Sequence, residues 1–341
     1  MTNVRLVIPV FNDWVSFRHL LLELDRVAAS LPFSLSVSAV DDGSTDDPMA
    51  TLSDLPAFTQ LSSVEIIHLS VNLGHQRAIA VGLCIAANDG NFDAVLIMDA
   101  DGEDPPQAIE ALTRGIGDQS NFCFVAQRRK RVETFSFKFF YLLYKTFFKL
   151  VTGKTISFGN FCILSRSYVD RLVMVSDLWN NLPAAILRSR LIITAVPLHR
   201  GARYAGKSKM NFTSLIVHGL SSISVYADTI FVRLLMLSGV LVIVSSVCVA
   251  CLLALRIFFP AHATPGWATT IAFGLAIIIL QILFTALSSI LMLLNSRVQR
   301  LVIPKFDFHH YVASRRPLFG RVSPENMPEL VKISLDPVDN L

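Results

Sequence analysis

Apolar and polar positions alternate along the first 130 residues in a way that separates strands from helices. Val4–Val10, Leu35–Val40, Val64–Leu69, Ala94–Met98 and Phe122–Ala126 are short, near-continuous apolar runs, the pattern of strands buried on both faces. Between them, Phe17–Ala29 places Leu20, Leu21, Leu24 and Val27 on one helical face, and Gln76–Ala87 and Gln107–Ile116 also read as helices. This alternation predicts an α/β fold: a mostly parallel sheet with helices on both faces. Turn signals at Asp41–Pro48 and Asn72–His75 punctuate it, and Pro48 and Pro105–Pro106 suit helix starts.

The pattern changes completely after residue 230. Leu234–Leu255 carries no charge and is bracketed by Arg233 and Arg256; a second uncharged run extends over Ile257–Ser296, with a turn at Pro260, Pro265 and Gly266. A helix over the first run is roughly 33 Å long at ~1.5 Å per residue, enough for a bilayer core of ~30 Å. Both runs are apolar on every face, so two C-terminal transmembrane helices are expected, over 233–259 and 267–295. The connection between them has no Lys or Arg, whereas Arg297, Arg300, Lys305, Arg315 and Arg316 follow the second. The positive-inside rule then puts the N-terminal domain and both termini in the cytoplasm, at the cytoplasmic membrane. The start of the chain lacks a charged-then-apolar leader, in agreement.

The expected organisation is a catalytic domain over 1–210, a juxtamembrane segment over 211–232, the two spans, and a cytoplasmic tail over 296–341. Within the first part, Phe135–Val151 interleaves aromatics with Lys138, Lys145 and Lys149, as in an amphipathic helix lying in the headgroup layer. The hydrophobic fraction of 52% and charged fraction of 16% fit a lipid-bilayer protein. A formal net charge of +4 gives no case for nucleic acid. The five cysteines show no metal-ligand spacing and read as reduced. Self-association as a homo-oligomer is open, though no Gly-x-x-x-Gly face marks it.

Candidate chemistry gathers at the strand ends. Asp99 and Asp101 follow the fourth strand two residues apart, and Glu103 follows at the same interval. Carboxylates so spaced leave a sheet edge side by side and can hold Mg²⁺ or Mn²⁺ against a diphosphate. Pro9–Asp13 and Asp41–Asp46 end neighbouring strands on the same edge. Asp41 and Asp42 can accept hydrogen bonds from a nucleobase or ribose, or can serve only to hold a tight turn. Arg128–Arg131 and the group Arg200, Arg203, Lys207 and Lys209 supply cations for phosphate or for lipid headgroups, with Ser208 beside them.

These residues carry a resemblance. Val7-Ile-Pro-Val-Phe-Asn12, Asp41-Asp-Gly-Ser-Thr-Asp46, Asn72-Leu-Gly-His-Gln76 and Met98-Asp-Ala-Asp-Gly-Glu-Asp-Pro-Pro106 resemble the ordered motifs of family 2 glycosyltransferases of the GT-A fold, in the polyisoprenyl-phosphate subgroup similar to dolichol-phosphate mannose synthase. Gly206–Met210 resembles that subgroup's Gly-x-Ser-Lys-Tyr signature, and the likeness runs over about residues 4–295. It implies a nucleotide-sugar donor contacted by Pro9, Asn12, Asp41, Asp42, Asn72 and Gly74. It implies Mg²⁺ or Mn²⁺ at Asp99, Asp101 and Glu103, and a polyprenyl phosphate held by Arg128, Arg131, Lys207, Ser208 and Lys209. Asp99, Asp101, Arg128 and Arg131 would be the catalytic set. The chain departs from the subgroup at Glu103, where Gln is usual, and over Gly159-Asn-Phe-Cys-Ile163, which replaces Gly-Asp-Phe-Arg-Leu.

The implied reaction is an inverting single displacement. An acceptor phosphate is already anionic, so Asn160 in place of a carboxylate is tolerated. Two other readings stay open: transfer to a hydroxyl of a lipid-linked sugar, with Asp104 or Asp177 as base, and a non-catalytic membrane subunit that binds sugar nucleotides.

Overall fold

In the computed structural model, the described residues are 3–116, 119–128, 146, 148–155, 157–205, 219–258, 266–298 and 301–320. The chain divides into two compact units. One comprises Met1–Glu133, Ile156–Val225 and Val302–Leu341; the other comprises Thr134–Thr155 and Tyr226–Leu301.

The first unit is built on an eight-stranded sheet: β1 (Asn3–Val10), β2 (Ser34–Asp41), β3 (Leu61–Leu69), β4 (Ala94–Ile97), β5 (Cys123–Arg128), β6 (Cys162–Ser165), β7 (Thr194–Leu198) and β8 (Val312–Phe319), in the order β7-β5-β6-β4-β1-β2-β3-β8. β1 runs parallel to β2 and β4, β2 to β3, and β5 to β7, while β6 and β8 are antiparallel to their neighbours. The sheet is therefore mostly parallel, as the alternating pattern predicts.

Both faces are covered, which explains the unbroken apolar runs. Leu6 and Ile8 of β1 pack in one cluster with Phe17, Leu20, Leu21 and Leu24 of α1 (Trp14–Ala28). Val7 points the other way, into a cluster with Ala78–Ala86 of α3 (His75–Asp89), the helix after the short α2 (Met49–Leu52). The α3 helix lies so close to the sheet that a Cβ on Gly82 would collide with Val7 and stand 3.0 Å from Val40.

Three strands lie outside the expected pattern. β6 is only four residues long, and β7 has an alternation too weak to read. β8 belongs to the stretch read as a tail, yet it closes the sheet beside β3, with Ile67 opposite Arg315 and Glu65 opposite Pro317. A proline is tolerated there because β8 is an edge strand. Arg315 is anchored by four hydrogen bonds to Glu65 and Asp89, 2.7 to 3.1 Å long. Arg5 adds a further bond to Asp89 at 2.7 Å.

The second unit contains two long helices, Ala227–Phe258 and Trp267–Val298, with Gly266 just before the second. Within them Ala227–Leu255 and Thr269–Asn295 are long and apolar enough to cross a membrane, and their side chains are largely exposed, as lipid-facing surfaces require. Most of the Phe135–Val151 segment expected in the headgroup layer lies outside the described residues. Of its aromatics, Phe148 is buried, edge-on to Tyr226 at 5.9 Å between ring centroids.

Candidate active site

The loops that leave β1, β2, β3 and β4 at their carboxyl ends meet along one edge of the sheet, where open parallel sheets bind ligands. The first half of this edge is a hydrogen-bonded frame. Asn12 takes a left-handed conformation (φ 48°), which Asn adopts more easily than most residues. Its Oδ1 accepts from the N–H groups of Thr45 (2.8 Å) and Asp46 (3.3 Å), and its own N–H donates to Ser44 Oγ (2.9 Å). Asn12 thus ties the β1 loop to the β2 loop.

Asp41 and Asp42 are both buried. Asp41 Oδ2 lies 2.8 Å from His68 Nδ1, and its Oδ1 accepts from the Ser44 N–H at 2.9 Å. Asp42 receives the N–H groups of Leu73 (2.7 Å) and Gly74 (2.9 Å), one on each carboxylate oxygen. The Asn72 side chain donates to the Asp42 carbonyl at 2.9 Å. Burial raises the Asp42 pKa above the ordinary carboxylate range, against the backbone donors and His75, which lower it. Of the two roles open to these aspartates, holding the turn is what Asp42 performs here. Asp41 keeps lone pairs for a further donor. Gly43 (φ 70°) lets the turn approach the β3 loop: a Cβ there would sit 2.8 Å from the Asn72 nitrogen.

The second half is electrostatic. After β4, Asp99 and Asp101 lead into Gly102, whose φ of 86° suits only glycine without strain. The segment Arg200–Tyr204, which follows β7, docks on this loop through its backbone. Gly201 N–H donates to the Glu103 carbonyl and Tyr204 N–H to the Asp101 carbonyl, each at 2.9 Å. That docking sets Arg203 against Asp101 (2.9 Å) and near Asp13 (3.8 Å), and pairs Arg200 with Glu103. The sequence placed both the acidic and the basic segment at the site; their direct pairing is new. Burial and the Asp99 charge raise the Asp101 pKa, outweighing Arg203 and Arg200. Burial lowers the Arg200 pKa from its ordinary value, opposed by Asp101 and Asp99.

The donor set bears on a metal. Asp99 and Asp101 supply carboxylate oxygens, the ligands Mg²⁺ and Mn²⁺ prefer, at a site where a diphosphate would supply more. Glu103 is paired with Arg200 and Asp101 with Arg203, so an ion at this loop would share these carboxylates with the guanidiniums. Among the described residues no ready-made group of three metal-ligating side chains converges.

Two residues without an assigned role complete the edge. His75, the first residue of α3, places Nε2 3.3 Å from Asp99 Oδ1 and 2.9 Å from Asn160 Nδ2. Desolvation opposes an imidazolium there, but the charges of Asp99, Asp42 and Asp101 outweigh it and raise the pKa. His75 was visible in the Asn72–Gln76 motif, but only the fold brings it beside the Asp-x-Asp loop. Pro9 lies within β1 opposite Val40, and Arg128 ends β5 opposite Leu198. Arg131, Lys207, Ser208 and Lys209 lie outside the described residues.

Comparison with known proteins agrees with this geometry. The family model for glycosyl transferase family 2 matches residues 6–173. The chain is 25% identical to an uncharacterised glycosyltransferase of Synechocystis sp., over 78% of this chain and 82% of that one. It is also 25% identical to an undecaprenyl-phosphate 4-deoxy-4-formamido-L-arabinose transferase of Enterobacter sp., over 78% of this chain and 79% of the other. Among solved structures, mannosyl-3-phosphoglycerate synthase from Rubrobacter xylanophilus is similar with a TM-score of 0.49 and 15% identity, over 67% of this chain and 73% of that one. With the ordered strand-end motifs and the sheet that carries them, the match over residues 6–173 identifies a glycosyl transferase family 2 domain in this chain.

Proposed function

We propose that this glycosyltransferase moves a sugar from a UDP- or GDP-linked donor to a polyprenyl phosphate at the cytoplasmic face of a membrane, with inversion at the anomeric carbon. The observation that carries the reading is the docking of Arg200 and Arg203 onto the Asp99–Glu103 loop. It concentrates carboxylates and guanidiniums at one sheet edge, in a chain that continues into two apolar helices. Guanidiniums grip phosphate oxygens in a bidentate fashion, and the two at this edge would serve donor and acceptor phosphates.

Asp99 and Asp101 would hold Mg²⁺ or Mn²⁺, which would neutralise the charge growing on the departing diphosphate. Asp41 would read the base or ribose, beside the frame that Asn12, Asp42, Asn72 and Gly74 hold rigid. Arg128, Arg131, Lys207, Ser208 and Lys209 would complete the phosphate grip on the acceptor side. An acceptor phosphate oxygen would then attack the anomeric carbon opposite the nucleotide. The protein's contribution is positioning and fixed charge rather than proton removal.

A hydroxyl acceptor would need a base. Asp104 is buried and accepts from the Asp99 N–H at 3.4 Å, and Asp177 pairs with Arg188 at 3.2 Å, so both candidates are engaged in structure. That favours the phosphate. The basic residues after the second helix support a cytoplasmic placement of the first unit. The experiment is release of UDP or GDP from a panel of sugar nucleotides by the full-length protein in detergent. Release that depends on added undecaprenyl phosphate and disappears in Asp101→Ala supports the proposal. Release that is independent of the lipid, or survives the substitution, contradicts it.

A further inference from the structure

The second long helix, Trp267–Val298, carries polarity where a bilayer gives it no partner. Gln281 lies next to the midpoint of the apolar stretch Thr269–Asn295, about 1.5 Å of helix rise from it. Its side chain is exposed, and among the described residues its carboxamide has no hydrogen-bond partner. The exposed Ser288 hydroxyl has none among them either. Thr270, Thr285 and Ser289 of the same helix each donate to the carbonyl four residues before. A carboxamide in hydrocarbon leaves two donors and an acceptor unmet, and membrane helices resolve this by hydrogen-bonding across to another helix.

These polar positions fall in register. Gly274, Gln281, Ser288 and Asn295 follow one another at intervals of seven, the spacing of a left-handed helix seam. Ile277, Phe284 and Leu291 occupy the alternate positions of such a seam and are exposed. A Cβ on Gly274 would meet nothing within 4 Å, so this face is open. It is not the face used within the chain. The two long helices pack on each other, with Ser238 and Ser245 of the first and Ser289 of the second buried. Ser289 and the half-buried Ile282 lie about 80–100° around the helix from Gln281. Ser238 and Ser245 are also seven residues apart, so this chain already buries small polar residues at that interval.

We propose that the face Gly274–Asn295 is a homodimer seam, on which the second long helix of one copy packs against that of a second copy with Gln281 at the centre. Two copies of one chain cross a bilayer in the same direction, so these helices meet parallel and in register, and Gln281 meets Gln281. Each carboxamide then donates an Nε2–H to the Oε1 of the other, because the group is both donor and acceptor. A different membrane protein would need its own polar group at the same depth; a second copy carries one by construction. The seam depends on the helix lying in a bilayer and is independent of the donor and acceptor of the reaction.

The test uses the full-length protein, one pool carrying a donor fluorophore and one an acceptor, in vesicles of phosphatidylethanolamine and phosphatidylglycerol. Energy transfer should rise and saturate as the protein-to-lipid ratio increases. Gln281→Leu keeps the span apolar and should move the midpoint about tenfold toward higher protein density. Gln281→Asn keeps the amide and should stay within about threefold of wild type. Cysteine linking then maps the face, in a background of Cys248→Ser and Cys251→Ser; the remaining Cys84, Cys123 and Cys162 are buried. Ile277→Cys and Ser288→Cys should each join two copies on mild oxidation. Ile282→Cys lies toward the buried face of the helix, and Leu283→Cys about 200° from Gln281; neither should. Energy transfer no greater than random proximity gives overturns the proposal. So does a midpoint unmoved by Gln281→Leu, or linking through Leu283→Cys as readily as through Ser288→Cys.

Discussion

Removing the Arg315 side chain should release β8 from the sheet. Its guanidinium is 13% exposed, spans Glu65 (5%) and Asp89 (13%), and is the cation paired with Glu65 among the described residues. In Arg315→Met, Asp89 keeps Arg5 at 2.7 Å, but Glu65 keeps only the Ser38 hydroxyl at 2.7 Å. Breaking a buried pair by deleting one partner costs about 3–5 kcal/mol, because the remaining charge stays buried. With Asp89 still paired, the lower end applies, about 3 kcal/mol. The cost falls on an edge strand of eight residues, so β8 should open before the rest of the sheet does. Amide hydrogen exchange over Val312–Phe319 should then quicken about a hundredfold, since each factor of ten is about 1.4 kcal/mol. Strands β1 and β2 should change little. Pairing Arg315→Met with Glu65→Leu removes the stranded charge and should recover most of the protection. Exchange over 312–319 within about threefold of wild type in Arg315→Met would refute the reasoning, because it would mean that the buried ion pairs do not hold the strand.

Further outcomes follow from the same contacts. Arg315 and Arg5 hold the Asp89 pKa below its ordinary value against burial, which acts to raise it. A depressed folded-state pKa gives stability that is complete above the unfolded value of about 3.9 and is lost as pH falls through the folded one; protection of β8 should be flat from neutrality to about pH 5 and fall below pH 4, as exchange at stepped pH would show. Gly102→Ala would set a Cβ 2.7 Å from the Tyr204 ring at a φ of 86°, so a loss of about 1–3 kcal/mol in thermal or denaturant unfolding is expected, together with weaker nucleotide binding. Gly82→Val would drive α3 off the sheet against Val7 and Val40, an overpacking cost of about 1–3 kcal/mol in the same assay. Asp42→Asn should loosen the β3 loop through the Leu73 and Gly74 N–H groups, raising KM for the donor more than it lowers kcat.

The central strands and the two long apolar helices were legible because their signal is local. Val4–Val10 reads as apolar on both faces because helices cover both, and the runs after Arg233 read as spans because every face is apolar. β8 was not legible. Arg315 and Arg316 look like the basic flank of a membrane helix, and only the fold shows that Arg315 also enters a buried carboxylate cluster contributed by β3 and α3. At the site, the Asp-x-Asp spacing and the basic segment announced themselves as motifs. Their pairing depends on a backbone dock between residues a hundred positions apart, which no local pattern encodes. Asn160 and His75 stood in recognisable motifs, yet their shared chemistry arises only where α3 begins beside the loop that precedes β6.

The most direct test of the central claim is mass spectrometry of the lipid phase after incubating the full-length protein with undecaprenyl phosphate, Mg²⁺ or Mn²⁺, and UDP- and GDP-sugars. The account predicts a glycosyl-phosphoryl polyprenol from one donor, with the anomeric configuration inverted, and none from Asp101→Ala. A sugar attached to a hydroxyl of another lipid, or a product with retained configuration, would contradict it.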